Sequence, residues 1–210
     1  MAEISRLKVV LCWHMHQPEY RDLTTGESLL PWTYLHAIKD YADMAAHLEA
    51  APRAAAVVNF SPVLLEQLEA YAQQLAAHLI NRAPLRDALL ASLAPDGIPE
   101  DLARREQLVR SCLKVNRERI IERFAPFREL ATLATGFLQT GAMRYAAREF
   151  LVDLTVWYHL GWLGESVRRS DARVAALVKK GRHYSDADRR TLLEVIGELV
   201  SGVVPRYRSL

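Results

Sequence analysis

The sequence predicts a helix-rich α/β protein with few, parallel strands. Three observations carry that expectation: two apolar, β-branched runs near the N-terminus, an amphipathic stretch of helical period between them, and a long series of helical stretches after them. The first run, residues 7–13, reads Leu-Lys-Val-Val-Leu-Cys-Trp and is apolar on both faces, as in a buried strand. Pro18, Gly26 and Pro31 then mark residues 17–34 as a long loop. Residues 36–49 follow with Ile38, Tyr41, Ala45 and Leu48 on one helical face, and Pro52 beyond them. In this helix Asp40 and Asp43 come early, where acids favour the dipole.

Residues 55–60, Ala-Ala-Val-Val-Asn-Phe, read as the second buried strand. Ser61 is then expected to cap a helix that has Pro62 at its first position and Leu64, Leu68, Tyr71 and Leu75 on its inward stripe. Strand, helix, strand, helix is a βαβ crossover, so the strands should be parallel and the connection right-handed. Helices are expected next at 84–93, 100–124, 127–134 (stopped before Gly136) and 143–164. The last of these is apolar nearly all round, with Trp157 and Trp162 expected in the core and Asp153 and His159 in buried hydrogen bonds. A final helix opens at Ser185 with Asp188 at its third position and ends at Pro205. Arg104, Arg105 and Glu106 read as a solvated face.

Composition narrows the function classes. Half of the 210 residues are apolar and a quarter charged, which excludes a disordered tail. Lys plus Arg is 27 against 25 Asp plus Glu, a net charge of +2 that points to neither a nucleic-acid nor a membrane-surface partner. Cys12 and Cys112 are too few for a disulfide framework and read as buried, reduced thiols, as expected of a cytoplasmic protein. The run 9–13 is too short for a signal peptide, and Asp153 and His159 interrupt the most apolar stretch, so no membrane span is expected.

The chemistry-bearing stretch is residues 13–20, WHMHQPEY, at the carboxyl end of the first strand. Ligands of α/β sheets and barrels bind at that end. His14 and His16 are two apart and point the same way along a strand. Such a pair can bind hydroxyl groups, or hold a metal if Glu19 or Asp22 adds a third ligand. Trp32 and Tyr34, in the long loop, could stack on sugar rings. Asn59, at the end of the second strand, reaches the same pocket or ties down the strand-to-helix turn.

WHMHQPEY, PWTYLHAIKDYADMAAHLE (31–49), AVVNFSPVLLEQLEAY (56–71) and DLTVWYHLGWLGE (153–165) together resemble glycoside hydrolase family 57, in the family's order and across essentially the whole chain. The resemblance implies the N-terminal portion of an incomplete seven-stranded (β/α) barrel, with 1–83 as a βαβα barrel segment and 84–210 as a helical segment of the same domain. It implies a retaining enzyme acting on an α-glucan, of the α-amylase, 4-α-glucanotransferase or branching-enzyme type, with a Glu nucleophile, an Asp acid/base and no cofactor. His16 and Gln17 fall on the family's HQP block and Asn59 on its NF-x-PVLL block, so the substrate-binding residues are expected to be His14, His16, Gln17, Trp32, Tyr34 and Asn59. The motifs that carry the catalytic Glu and Asp are not found. The 210 residues are therefore expected to be a truncated, inactive part of such an enzyme, open to self-association through unpaired strand edges. Two other readings stay open: a non-catalytic sugar- or protein-binding module, and a metal-dependent hydrolase built on His14 and His16.

Overall fold

In a computed structural model residues 9–210 are described. Strands β1 (Leu11–Met15) and β2 (Ala56–Phe60) form a two-stranded parallel sheet in which Leu11 pairs with Ala56 and His14 with Asn59. Residues 7 and 8 of the expected first strand lie outside the described residues. The strand also runs on to Met15, because its alternate residues Trp13 and Met15 pack against the helices.

Both strands were expected to be buried on both faces, and this is corrected. Trp13, Met15, Val58 and Phe60 face the core, while Cys12, His14, Val57 and Asn59 are exposed. Cys12 is thus an exposed thiol rather than a buried one, whereas Cys112 is buried. The physical reason is that nothing among the described residues covers the outer face.

The strands are linked by a helical rod: α1 (Trp32–His36), a π turn at Ala37–Tyr41, and α2 (Ala42–Glu49). The rod starts four residues before its expected beginning. Asp43 is therefore not at its N-terminus and instead caps a distant helix (below). α3 (Pro62–Asn81) opens with Pro62 in the first turn as expected, but Ser61 Oγ is buried without a partner and does not cap it.

The rest is helical: α4 (Ala88–Ala91), α5 (Leu102–Leu113), a π turn at Arg117–Ile121, α6 (Ala125–Thr140), a 3₁₀ turn at Met143–Tyr145, α7 (Arg148–Trp162), α8 (Glu165–Ser170), α9 (Ala172–Lys180) and α10 (Asp186–Arg208). The single helix expected over 100–124 is broken. Lys114 leaves the helical region, and Asn116 Oδ1 accepts from the Arg119 backbone N–H at 2.9 Å to start the π turn. α6 passes through Gly136 because Phe137 and Leu138 continue its packing, and it ends at Gly141, whose φ of 66° suits glycine. α8 and α9 had no counterpart in the sequence reading.

α7 is the centre of the molecule. Every residue from Leu151 to Trp162 is buried, among α5, α6 and the 117–121 π turn. The approach is close: a Cβ on Gly161 would come within 2.8 Å of the Ile120 side chain. α10 packs on α3 and starts with the expected capping box between Ser185 and Asp188. It does not stop at Pro205. Arg206 Nε and Nη2 each donate to Glu49 at 2.6 Å, and Tyr207 Oη donates to the Tyr41 carbonyl at 2.8 Å, so tertiary bonds hold the last turn. No helix of the described residues is long and apolar enough to cross a membrane.

Candidate functional site

The bare face of the sheet gathers three of the expected residues. Strand alternation turns His14 outward, and the parallel register sets it opposite Asn59. Their side chains meet, His14 Nδ1 to Asn59 Oδ1, at 2.7 Å. An amide oxygen only accepts, so His14 Nδ1 carries a proton, and in the neutral ring Nε2 is left as an acceptor. The His16 ring stacks beside it, with centroids 5.7 Å apart and planes 18° from parallel. Its nitrogens bond to nothing among the described residues, and all three side chains are exposed. Such a face can exchange hydrogen bonds with several hydroxyl groups at once.

Gln17 sits just past the strand. Its Nε2 donates to Tyr41 Oη at 3.2 Å and its Oε1 accepts from Tyr20 Oη at 3.1 Å, so both ends of the amide are engaged. The sequence reading missed the residue that holds this turn in place. Gln67 is fully buried; its Nε2 donates to the carbonyls of Pro18 (2.8 Å) and Val63 (3.2 Å), and its Oε1 accepts from Tyr20 N–H (3.3 Å) and Thr33 Oγ1 (3.1 Å). The available signal was a glutamine on the apolar stripe of α3, between Leu64 and Leu68.

Tyr34 is corrected from a loop aromatic to a core residue. Position 34 lies on the inward face of α1, the side chain is fully buried, and its hydroxyl meets His159 Nε2 at 3.1 Å. His159 is equally buried, and its Nδ1 donates to the Thr155 carbonyl at 2.7 Å. Nε2 therefore accepts from the Tyr34 hydroxyl, and the ring is neutral: burial drives its pKa down to about 4 against the partial support of the Thr155 carbonyl. Asp153 is buried and accepts from the backbone N–H groups of His183 (2.9 Å) and Tyr184 (3.0 Å), which holds His183 at a φ of 57°. Both α7 polar groups thus sit in buried hydrogen bonds, and Trp157 and Trp162 sit in the core, as expected.

Trp32 is apart from the histidines. It packs against Trp162, with ring centroids 5.9 Å apart, and lines a separate cavity of 580 Å³ that includes none of His14, His16, Gln17 or Asn59.

The two acids nearest the histidines in sequence are already committed. Glu19 is held by Arg21, at 2.6 and 2.8 Å, and the hydrogen bond from that guanidinium lowers its pKa. Asp22 Oδ1 accepts from the backbone N–H groups of Thr24 (2.8 Å) and Thr25 (3.3 Å). Among the described residues no group of three or more His, Cys, Asp or Glu is placed to hold a metal ion, so the His14–His16 pair gains no third ligand.

A family model described as glycosyl hydrolase family 57 matches residues 10–200. The chain belongs to glycosyl hydrolase family 57. Comparison with curated proteins and with solved structures found no match. In this family 57 chain the match spans both strands, α7 and most of α10.

Proposed function

We propose that this chain is part of a retaining glycoside hydrolase or transglycosylase that acts on an α-glucan, of the α-amylase, 4-α-glucanotransferase or branching-enzyme type. One observation carries the reading: on the outer face of the sheet, His14 is oriented by Asn59 and flanked in parallel by His16. In this reading His14 Nε2 accepts from one glucosyl hydroxyl, and His16 bonds a neighbouring one. Asn59 acts through His14, by fixing its tautomer and ring plane. Gln17 holds the turn that follows, and Gln67 anchors it from beneath.

The same reading makes the isolated 210 residues catalytically inactive. A retaining displacement needs two carboxylates about 5–5.5 Å apart. The motifs that carry the family's catalytic Glu and Asp are not found in the sequence, and the two acids nearest the histidines are engaged, Glu19 by Arg21 and Asp22 by its own loop.

The test is a titration of the protein with maltotetraose, followed through the ring signals of His14 and His16 by NMR. Both should shift saturably, and Asn59→Ala should weaken binding about five- to tenfold, the cost of one oriented hydrogen bond. Unmoved ring signals would remove the sugar-face reading. Release or transfer of maltooligosaccharides by the pure 210-residue protein would remove the inactivity.

A further inference from the structure

Two π turns occur among the described residues, Ala37–Tyr41 and Arg117–Ile121, and both line one cavity of 430 Å³. Such turns are rare and gather at functional sites. The first supplies Lys39 and Asp40, the second Arg119 and Ile120, and the end of α7 adds Gly161 and Trp162. The volume is that of a small-metabolite site. None of His14, His16, Gln17, Trp32 or Asn59 lines it.

The walls carry a surplus of positive charge. Lys39, Arg119, Arg123 and Arg168 line the cavity with one carboxylate, Asp40. Part of that charge is balanced: Lys39 donates to Asp40 at 2.7 Å, and Glu165 on α8 accepts from Arg123 at 2.9 Å and from Arg168 at 2.6 Å. Arg119 is left over. Its backbone N–H serves Asn116 Oδ1, but its guanidinium bonds to no group of the described residues. The same bond engages the oxygen of the Asn116 amide and leaves its NH2 group without a partner. The Trp162 indole, 8 % exposed, has a buried N–H that also lacks a hydrogen bond; the Tyr158 hydroxyl stands near it and closes none. Acceptors are fewer. Both Asp40 oxygens are engaged, one by Lys39 and the other by His36 Nδ1 at 2.5 Å.

We propose that this cavity binds a phosphate dianion, as inorganic phosphate or as the phosphoryl group of a small ester. Arg119 and the Asn116 amide hold it, within the field of Lys39, Arg123 and Arg168. Guanidinium N–H groups pair with phosphate oxygens at fixed geometry, and the double charge draws on more of the surplus than a carboxylate does. A neutral ligand makes no use of the surplus. The site is separate from the strand-end face, and neither reading depends on the other.

The test is a titration with inorganic phosphate and with glycerol 3-phosphate, at an ionic strength held constant with sodium chloride. The Trp162 indole N–H signal is followed by NMR. It should shift saturably with at least one of the two, and the one that binds more tightly identifies the source of the phosphate. Arg119→Gln, at an exposed position, should weaken binding about tenfold, as for one charge-assisted hydrogen bond. Asn116→Asp keeps an oxygen to start the π turn but replaces the donor with a negative charge, and should abolish the response. It decides the matter alone if Arg119→Gln unfolds. Arg110→Gln removes the same charge from α5, outside the cavity, and should leave binding unchanged. The proposal is overturned by a Trp162 signal silent to both phosphates, by an equal response to acetate, or by equal binding in the wild type and Arg119→Gln. A loss in Arg110→Gln as large as in Arg119→Gln overturns it too, since net charge would then explain the binding.

Discussion

The strands and α7 are comparably apolar in sequence, yet they end in opposite surroundings. From Leu151 to Trp162 α7 leaves nothing in solvent. The sheet buries only alternate residues, so that Met15 is 3 % exposed and Val57 54 %. The chain supplies α7 with neighbours on every side, whereas it supplies the sheet with helices on one face only. Hydrophobic character measures how much surface a segment gains by being covered. Whether a cover exists depends on what else folds nearby.

That contrast can be broken by mutation. The largest effect is expected in α7: Trp157→Ala removes a buried indole and its 2.7 Å hydrogen bond to the Gly181 carbonyl, and should cost about 3–5 kcal/mol in denaturant unfolding. A cost below about 1 kcal/mol would mean that α7 is not the centre of the core.

His159 gives the next effect, and it depends on pH. The folded ring titrates near 4, below the roughly 6.5 of an unfolded histidine. Between these values the unfolded chain binds the proton and the folded protein does not. Stability should therefore fall as pH drops through that window, by up to about 3 kcal/mol near pH 4, and be unaffected above it. His159→Gln should flatten this part of the curve in denaturation series from pH 7.5 to 4.5; an unchanged slope would show that the ring is not buried neutral.

A smaller loss is expected at the N-terminus of α8, where Asp43 on α2 accepts from the backbone N–H groups of Glu165 and Ser166, each at 2.8 Å. Asp43→Ala should cost about 1–2 kcal/mol in thermal unfolding, as for a lost cap. The smallest effect belongs to the bare sheet face. Val57→Thr should change stability by no more than about 0.5 kcal/mol. A cost above 1 kcal/mol that grows with protein concentration would show that a second copy covers the strands in solution.

Much of the candidate site was legible because it follows from strand period alone. His14 and His16 share a face by their spacing of two, and Asn59 meets His14 once the two strands are parallel and in register. Tyr34 and Trp32 were misplaced together because the start of α1 carries no side-chain cap, so nothing local marks Trp32 as helical. α9 did carry a signal that went unread: Asp171 accepts from the Arg173 N–H at 2.8 Å, and Gly181 follows at a φ of 77°.

By itself the sequence determined the βαβ order, the parallel pairing, the Pro62 start of α3, the Ser185 capping box and the buried character of α7. Each of these comes from interactions within a few residues or from a repeating period, so they are written in local order. Only the tertiary structure decided that one sheet face stays bare, that α10 runs past Pro205 onto Glu49, and that Asp43 caps a helix 122 residues further on. Those outcomes depend on groups far apart in the chain, whose meeting no local pattern encodes.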